Sequence, residues 1–221
     1  MSINSASQTV APPEVTFFMP VLAAIFDAFG TLVKISEGSH PYRKLFKLGI
    51  EQGRRPQPTD AEALLSLPLD LRQAAKLFGI QVDLDLMAQW EFDLCSELAD
   101  IQAYPDGLRA VQQLQAAGLK VGVCSNLAKP YSAAIERLYP GLDGYSYSFA
   151  VGAIKPSFDI YRHVTQQLAI SPADAWMVGD SKLCDCEGPS AFGMSGNWLD
   201  RQGRSSYTSL DHFVDAILHA R

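Results

Sequence analysis

The chain has 221 residues, 48% of them hydrophobic, which is enough for one α/β domain with a modest insertion and a packed core. Its formal net charge of −6 and its lack of basic runs argue against nucleic acid and anionic membranes as main partners. The apolar stretch over residues 15–26 is too short to span a bilayer and follows no basic residue, so neither a membrane span nor a secretory signal is predicted. The four cysteines fit reduced thiols, which predicts a cytoplasmic protein. Residues 1–20 are predicted to form a disordered leader.

The first predicted strand, residues 21–26, is apolar throughout and is followed directly by Asp27. A carboxylate at the end of a buried strand is costly unless something uses its charge. Gly30 and Thr31 then suit a tight turn. This is how an α/β domain presents a nucleophilic carboxylate at the carboxyl edge of its sheet.

Residues 36–104 carry helical patterns and no convincing strand, so they are predicted to form a small all-helical cap. Thr59 and Glu62 form a capping-box pattern at the start of a short helix. Residues 69–78 and 84–101 are amphipathic. A helical insert directly after the first strand would lie over the carboxyl edge of the sheet, where it can act as a lid.

Strand and helix patterns alternate through the rest of the chain. The predicted strands cover residues 119–124, 147–151, 175–178 and 196–199, and the predicted helices cover 106–117, 130–139, 158–168, 185–192 and 210–219. Such units with short connections predict a Rossmann-like three-layer α/β sandwich with a central parallel sheet. This core would comprise residues 21–35 and 105–221.

Polar signals fall at four successive predicted strand ends. They are Asp27, Ser125 with Asn126, Lys155, and Asp180 with Asp185. Each alone would be an ordinary turn or cap residue. Together they indicate one site, because the carboxyl ends of parallel strands meet at one edge of the sheet.

Phosphoryl transfer to a carboxylate is the chemistry that needs this set. Asp27 would attack phosphorus, Ser125 would hold a phosphoryl oxygen, and Lys155 would neutralise the transferring group. Asp180 and Asp185 would hold Mg²⁺, a hard cation that prefers oxygen ligands. Three carboxylates against one ammonium leave an excess of about −2, which should not face a phosphate dianion without a dication.

These motifs resemble those of the haloacid dehalogenase-like (HAD) hydrolase superfamily, in its form with a helical cap after the first strand. The likeness runs from about Val21 to the C-terminus and rests on F-D-A-F-G-T-L, V-G-V-C-S-N, G-A-I-K-P and V-G-D-S-K-L-C-D. It implies that the backbone carbonyl of Phe29 is a further metal ligand. Asn126 directly follows Ser125 and can donate to a substrate oxygen, and it is assigned with Thr31 to substrate binding.

Phe29 stands where family phosphatases usually carry a second Asp. That Asp protonates the leaving oxygen and then activates water, a contribution of about 10²–10⁴ in rate. His40, which follows the first strand, is a candidate replacement. Basic cap residues such as Arg43 and Arg54 are candidates for contact with a small anionic substrate.

Three functions therefore stay open. The favoured one is a Mg²⁺-dependent phosphatase on a small phosphomonoester, a monomer or homodimer. The second is a metal-independent 2-haloacid dehalogenase, because D-A-F-G-T-L is close to the D-A-Y-G-T-L of that subfamily and a halide needs no general acid. Against this function, the chain has Gly-Asp-Ser at the position where the dehalogenase subfamily has a motif similar to Ser-Ser-Asn. The third is a catalytically weak module that binds Mg²⁺ and phosphate.

Overall fold

The structure is a computed structural model that describes residues 21–35 and 38–220. The predicted leader, residues 1–20, lies outside the described residues. No helix in the described ranges is long and apolar enough to cross a membrane.

Strands and helices alternate along most of the described chain. The strands are β1 (Ala23–Phe26), β2 (Val33–Lys34), β3 (Gln102–Ala103), β4 (Lys120–Ser125), β5 (Gly144–Tyr147), β6 (Ala175–Gly179) and β7 (Ser195–Trp198). The α-helices are α1 (Pro41–Glu51), α2 (Asp60–Ser66), α3 (Leu71–Leu77), α4 (Leu84–Asp100), α5 (Pro105–Ala116), α6 (Ser132–Leu138), α7 (Ser148–Val151), α8 (Phe158–Gln167), α9 (Gly188–Phe192) and α10 (Leu210–His219). Single 3₁₀ turns lie at Lys129–Tyr131 and Pro172–Asp174, and a π-helical turn lies at Lys182–Glu187.

Five parallel strands form the central sheet in the order β5-β4-β1-β6-β7. All four residues of β1 are buried, as expected for a central strand covered on both faces. Ala24 and Phe26 pack into the hydrophobic cluster on one face, and Ala23 and Ile25 pack into the cluster on the other. The predicted Rossmann-like α/β sandwich is confirmed.

The strand predicted at residues 147–151 is wrong. Strand β5 is Gly144–Tyr147, and the chain then turns into the short helix α7. The Ser148 hydroxyl donates to the carbonyl of Leu65 at 2.6 Å and accepts from the N–H of Leu127 at 3.0 Å. These partners are distant in sequence, so an apolar pattern over five residues could not indicate the helix.

Two predictions for residues 36–104 are also wrong. Strand β3 lies in this segment and pairs antiparallel with β2, where the chain leaves the core and returns. Thr59 makes no side-chain capping bond, because its own backbone is helical. The observed capping box joins Asp70 and Gln73 at the start of α3.

Helices α1 to α4 form the segment predicted as the cap. Leu45, Leu71 and Trp90 belong to a hydrophobic cluster of their own, to which Ala128 and Tyr131 of the core contribute. These contacts place the helical segment against the chain that follows β4. The division into a core and a cap at residues 36–104 stays a prediction.

Candidate active site

The predicted strand-end residues line one small polar cavity at the carboxyl edge of the sheet. This polar cavity has a volume of about 190 Å³ and is lined by Asp27, Phe29, Ser125, Asn126, Lys155, Asp180, Ser181, Cys184 and Asp185. Asp27 follows β1, Ser125 ends β4, and Asp180 follows β6. The N–H of Asp27 donates to the carbonyl of Val178 at 2.9 Å, which continues the β1–β6 pairing by one residue.

Asp27 is held through one of its two carboxylate oxygens. Its Oδ1 accepts from the Ser125 hydroxyl at 3.0 Å and from Lys155 Nζ at 2.7 Å. No described residue donates a hydrogen bond to its Oδ2. The carboxylate is therefore oriented and still has one oxygen available to attack.

Lys155 lies between two carboxylates, with only 2% of its side chain exposed. Its Nζ is 2.7 Å from Asp27 Oδ1 and 2.6 Å from Asp185 Oδ1. Burial alone would lower the pKa of Lys155, but the two carboxylates outweigh it and hold this pKa well above its usual value. Lys155 is therefore a permanent positive charge in the site.

Asp27, Asp180 and Asp185 each offer one carboxylate oxygen, and these oxygens all lie within 4.8 Å of one another. Burial of the carboxyl group and the charge of Asp27 raise the pKa of Asp180 to about 6. Burial also raises the pKa of Asp185, against the opposing charge of Lys155. Although Asp180 as a residue is exposed, its carboxylate packs against Gly30, where an added Cβ would clash with it. Three converging carboxylates with a surplus of negative charge are a donor set that fits Mg²⁺.

Asn126 lines the polar cavity but already uses its side chain. Its Oδ1 accepts from the N–H of Lys155 at 2.7 Å, and its Nδ2 donates to the Lys155 carbonyl at 3.1 Å. The amide therefore positions Lys155, a role that sequence reasoning missed because the two residues are 29 positions apart. Its predicted contact with substrate stays a prediction.

Thr31 does not line the polar cavity. The residue is fully buried, and its hydroxyl has no hydrogen-bond partner among the described residues. Arg201 instead donates to the backbone carbonyls of Gly30 and Thr31, at 3.3 and 2.9 Å, and so supports the turn after Asp27. Nothing in the local sequence around Arg201 signals this contact across 170 positions.

A second, larger cavity adjoins the first and extends under the helical segment. This apolar cavity has a volume of about 390 Å³ and is lined by Phe29, Ile35, His40, Tyr42, Arg43, Leu64, Leu65, Asn126, Leu127, Ala128 and Tyr131. Of the basic candidates, Arg43 faces this cavity and makes no ion pair with a described carboxylate. Arg54 is instead paired with Asp60 at 2.7 Å.

Comparison with known proteins identifies the class. The family model for haloacid dehalogenase-like hydrolases matches residues 21–193. The chain therefore belongs to this family, and it is a hydrolase.

Two curated relatives match in sequence. One is haloacid dehalogenase-like hydrolase domain-containing protein 3 of Mus musculus, 40% identical over 83 residues, which cover 35% of this chain and 32% of the mouse protein. The other is Phosphatase MT3486 of Mycobacterium tuberculosis, 26% identical over 211 residues, which cover 85% of this chain and 91% of that protein.

Solved structures share the fold at low sequence identity. A HAD phosphatase from Thermococcus onnurineus aligns with a TM-score of 0.61 at 22% identity, over 89% of this chain and 97% of that one. A HAD family enzyme from Bacteroides thetaiotaomicron in complex with magnesium and inorganic phosphate aligns with a TM-score of 0.58 at 16% identity, over 81% and 94%. The L-2-haloacid dehalogenase of Xanthobacter autotrophicus aligns with a TM-score of 0.55 at 20% identity, over 90% and 88%.

Proposed function

We propose that the chain is a Mg²⁺-dependent phosphatase that hydrolyses a small phosphomonoester through a covalent intermediate at Asp27. The observation that carries this proposal is the convergence of Asp27, Asp180 and Asp185 beside Lys155. A site that attacks a neutral carbon has no need of this extra carboxylate at Asp180. A site that binds a phosphate dianion needs the Asp180 carboxylate, because this carboxylate helps to hold a metal ion that offsets the negative charge of the phosphate.

The chain's own residues divide the work in this mechanism. Asp27 attacks phosphorus through Oδ2 while Ser125 and Lys155 hold its Oδ1 in place. The bond from phosphorus to the ester oxygen breaks in the same step, and this oxygen leaves with the bonding electron pair and takes up a proton from solvent. The protonated Lys155 also stabilises negative charge on the transferring group. Water then attacks phosphorus, the Asp27 carboxylate leaves, and inorganic phosphate is released.

Mg²⁺ would be held by the carboxylates of Asp27, Asp180 and Asp185, with the carbonyl of Phe29 as the further ligand that the family resemblance implies. When bound, it supplies charge neutralisation for the phosphoryl group. Two comparisons support this: a relative at 26% identity is named a phosphatase, and a protein of the same fold was crystallised with magnesium and phosphate.

A 2-haloacid dehalogenase is the second candidate. The observation that favours it is Phe29, which is half-buried at the site and offers no acid or base. Halide departs as a stable anion, so this chemistry loses nothing by the replacement. Mg²⁺ separates the two candidates, since only the phosphatase requires it.

The first test is phosphate release from a panel of phosphomonoesters, with Mg²⁺ and with a chelator. We expect Mg²⁺-dependent release that Asp27→Asn lowers by about 10³-fold or more, because an amide cannot form the acyl-phosphate. Asp215→Asn, an exposed change on α10, is the matched control and should keep full activity. Circular dichroism of both variants reports whether the fold is intact.

Full activity in Asp27→Asn would refute the covalent mechanism. Halide release from 2-haloacids in chelator, without phosphate release, would establish the dehalogenase. Binding of Mg²⁺ and phosphate without turnover of either substrate class would leave the weak binding module. The cytoplasmic location and the monomeric or homodimeric state remain predictions from the sequence.

A further inference from the structure

The ring of Phe29 stands at the junction of the two cavities. Phe29 and Asn126 line both of them, so the polar cavity and the apolar cavity are adjacent and share these two residues. Phe29 contacts Tyr131 edge to face, with ring centroids 5.7 Å apart and an interplanar angle of 88°. Tyr131 in turn lies 6.4 Å from the ring of Tyr42. Three aromatic rings therefore lie side by side in the lining of the apolar cavity, and the ring of Phe29 is the one that also borders the polar cavity.

The lining of the apolar cavity suits a flat apolar group. Leu64, Leu65 and Leu127 join the three rings, and the described lining includes no carboxylate. Its basic side chains are Arg43 and His40. A polyhydroxylated group such as a sugar would find few partners for its hydroxyls and would pay a desolvation cost. The volume of about 390 Å³ is within the usual range of small-molecule sites, roughly 300–1,000 Å³.

Phe29 also restricts the chemistry of the leaving group. The family resemblance places the acid that protonates the leaving oxygen at position 29, which holds a phenyl ring here, so a leaving group that is stable as an anion suits this site best. A phenol, with a pKa near that of tyrosine at about 10, is a far better leaving group than an alcohol, whose pKa is closer to the ~15.7 of water. Phe29, in place of the second Asp that family phosphatases usually carry, thus supplies an apolar wall and leaves this position without the acid that an alkyl ester requires.

We propose that the substrate of this site is an aryl phosphomonoester, with its ring in the apolar cavity against Phe29, Tyr131 and Leu65. This inference rests on the proposed phosphatase function. An Asp27 oxygen bonds to phosphorus as the bond from phosphorus to the aryl oxygen breaks, and the electron pair leaves on the aryloxide. Water then displaces Asp27 from phosphorus, and the proton that it releases balances the one that the aryloxide takes up from solvent.

The rate test compares esters of similar size and different leaving groups. We expect the native protein to hydrolyse phenyl phosphate about 10²-fold or more faster than cyclohexyl phosphate, since a general acid is worth about 10²–10⁴. Among substituted phenyl phosphates, kcat/KM should fall steeply as the pKa of the phenol rises. Phe29→Asp should make kcat/KM less dependent on the pKa of the phenol. It should also reduce the ratio of the rates for phenyl phosphate and cyclohexyl phosphate.

Equal rates for phenyl and cyclohexyl phosphate would overturn the proposal. A shallow dependence on phenol pKa that becomes steep in His40→Gln would overturn it as well, because His40 would then be the missing acid.

A binding test separates this inference from the proposed function. By calorimetry with Mg²⁺, phenylphosphonate should bind the full chain about tenfold or more tightly than methylphosphonate, from burial of the ring. Leu65→Gln should remove most of this preference. Leu67→Gln, two residues further along and outside both cavities, is the matched control and should leave it unchanged.

Preference for phenylphosphonate without hydrolysis of any ester would mean that the phosphatase proposal fails while the aryl site stands. Equal affinity for the two phosphonates would overturn the aryl site whatever the esters show.

Discussion

Lys155 is the one ammonium in a polar cavity lined by three carboxylates, among the residues that the structure describes. The whole residue is 3% exposed, and its Nζ donates hydrogen bonds to Asp27 and to Asp185. Ser181 completes the set by donating its N–H to Asp185 Oδ2 at 2.9 Å. A buried charge cluster of this kind contributes little net stability, but losing one partner is expensive because the others stay buried and unpaired.

Lys155→Met should therefore cost stability as well as activity. We expect the free energy of unfolding at neutral pH, without Mg²⁺, to fall by about 3–5 kcal/mol. Urea denaturation followed by circular dichroism measures it. Lys129→Met, an exposed lysine without a described ion pair, is the control. A loss in Lys155→Met no larger than in the control would contradict the view that this ammonium neutralises the buried carboxylates.

At the scale of elements, Asp106 connects three parts of the core. It lies in the first turn of α5 and accepts from the N–H of Leu210, the first residue of α10, at 2.9 Å. It also accepts from Arg201 at 2.8 Å. The Arg201 guanidinium stacks over the ring of Tyr104 at 3.9 Å and supports the turn after Asp27. The turn after Asp27 is thus connected to α5 and α10 through one arginine.

This connection should depend on pH. Burial raises the pKa of Asp106, but Arg201 and the N–H of Leu210 together outweigh it, so the net pKa lies below the usual value. The pKa of Asp106 is lower in the folded state than in the unfolded state, so its carboxylate stabilises the fold above about pH 4. This stabilisation is lost as the pH falls further. Asp106→Asn should lower the free energy of unfolding by about 1–3 kcal/mol at pH 7 and by less at pH 3.

Urea denaturation at the two pH values tests this expectation. Asp211→Asn is the matched control, because it breaks the exposed pair with Arg109 and should cost at most about 1 kcal/mol. An Asp106→Asn effect of the same size at both pH values would show that the charge of Asp106 is irrelevant to folding.

Glu97 connects elements of the helical segment through one buried carboxylate, as Asp106 does in the core. It lies on α4 with its side chain 1% exposed, and it accepts from the Tyr131 hydroxyl at 2.6 Å and from the N–H of His40 at 2.8 Å. Gly38 packs against the same carboxylate, with no room for a Cβ. Glu97 therefore joins α4 to the start of α1 and to the wall of the apolar cavity.

Glu97→Ala should leave two partly buried donors, the N–H of His40 and the Tyr131 hydroxyl, without this partner and lower the free energy of unfolding by about 1–3 kcal/mol. Hydrogen exchange at the amide of His40 should become faster. Glu91→Ala on the same helix, which breaks an exposed pair with Arg72, is the control and should cost at most about 1 kcal/mol. An unchanged rate of hydrogen exchange at His40 in Glu97→Ala would show that the hydrogen bond from the His40 N–H to Glu97 does not hold the start of α1 in place.

At the scale of the whole molecule, we expect the surplus of negative charge at the sheet edge to couple folding to the binding of Mg²⁺. A ligand that binds only the folded state adds about 2.7 kcal/mol at 100 times its Kd. We expect Mg²⁺ to raise the melting temperature of the native chain, and Asp180→Asn to abolish the rise. In chelator, Asp180→Asn should be as stable as the native chain or more so, because one repelling carboxylate is gone.

Thermal melts of the native chain and of Asp180→Asn, each with Mg²⁺ and with chelator, give the four melting temperatures that are compared. Asp215→Asn should keep the native response to Mg²⁺. A full Mg²⁺ effect in Asp180→Asn would remove this residue from the metal site.

The sequence by itself determined the fold class, the family and the edge of the sheet on which the site residues lie. These are local properties: an apolar run predicts a buried strand, and the residue that follows it lies at the sheet edge. Asp27, Ser125, Lys155, Asp180 and Asp185 accordingly line one cavity, while their chemical roles remain predictions.

Only the tertiary structure decided which side chains meet. Asn126 bonds to the backbone of Lys155, Arg201 to the turn at Thr31, and Glu97 to Tyr131, at separations of 29, 170 and 34 positions. The apolar cavity likewise exists only where the helical segment packs over Phe29. No local pattern encodes such contacts, because they depend on how whole elements pack, and packing decides where two distant side chains come within reach of a hydrogen bond.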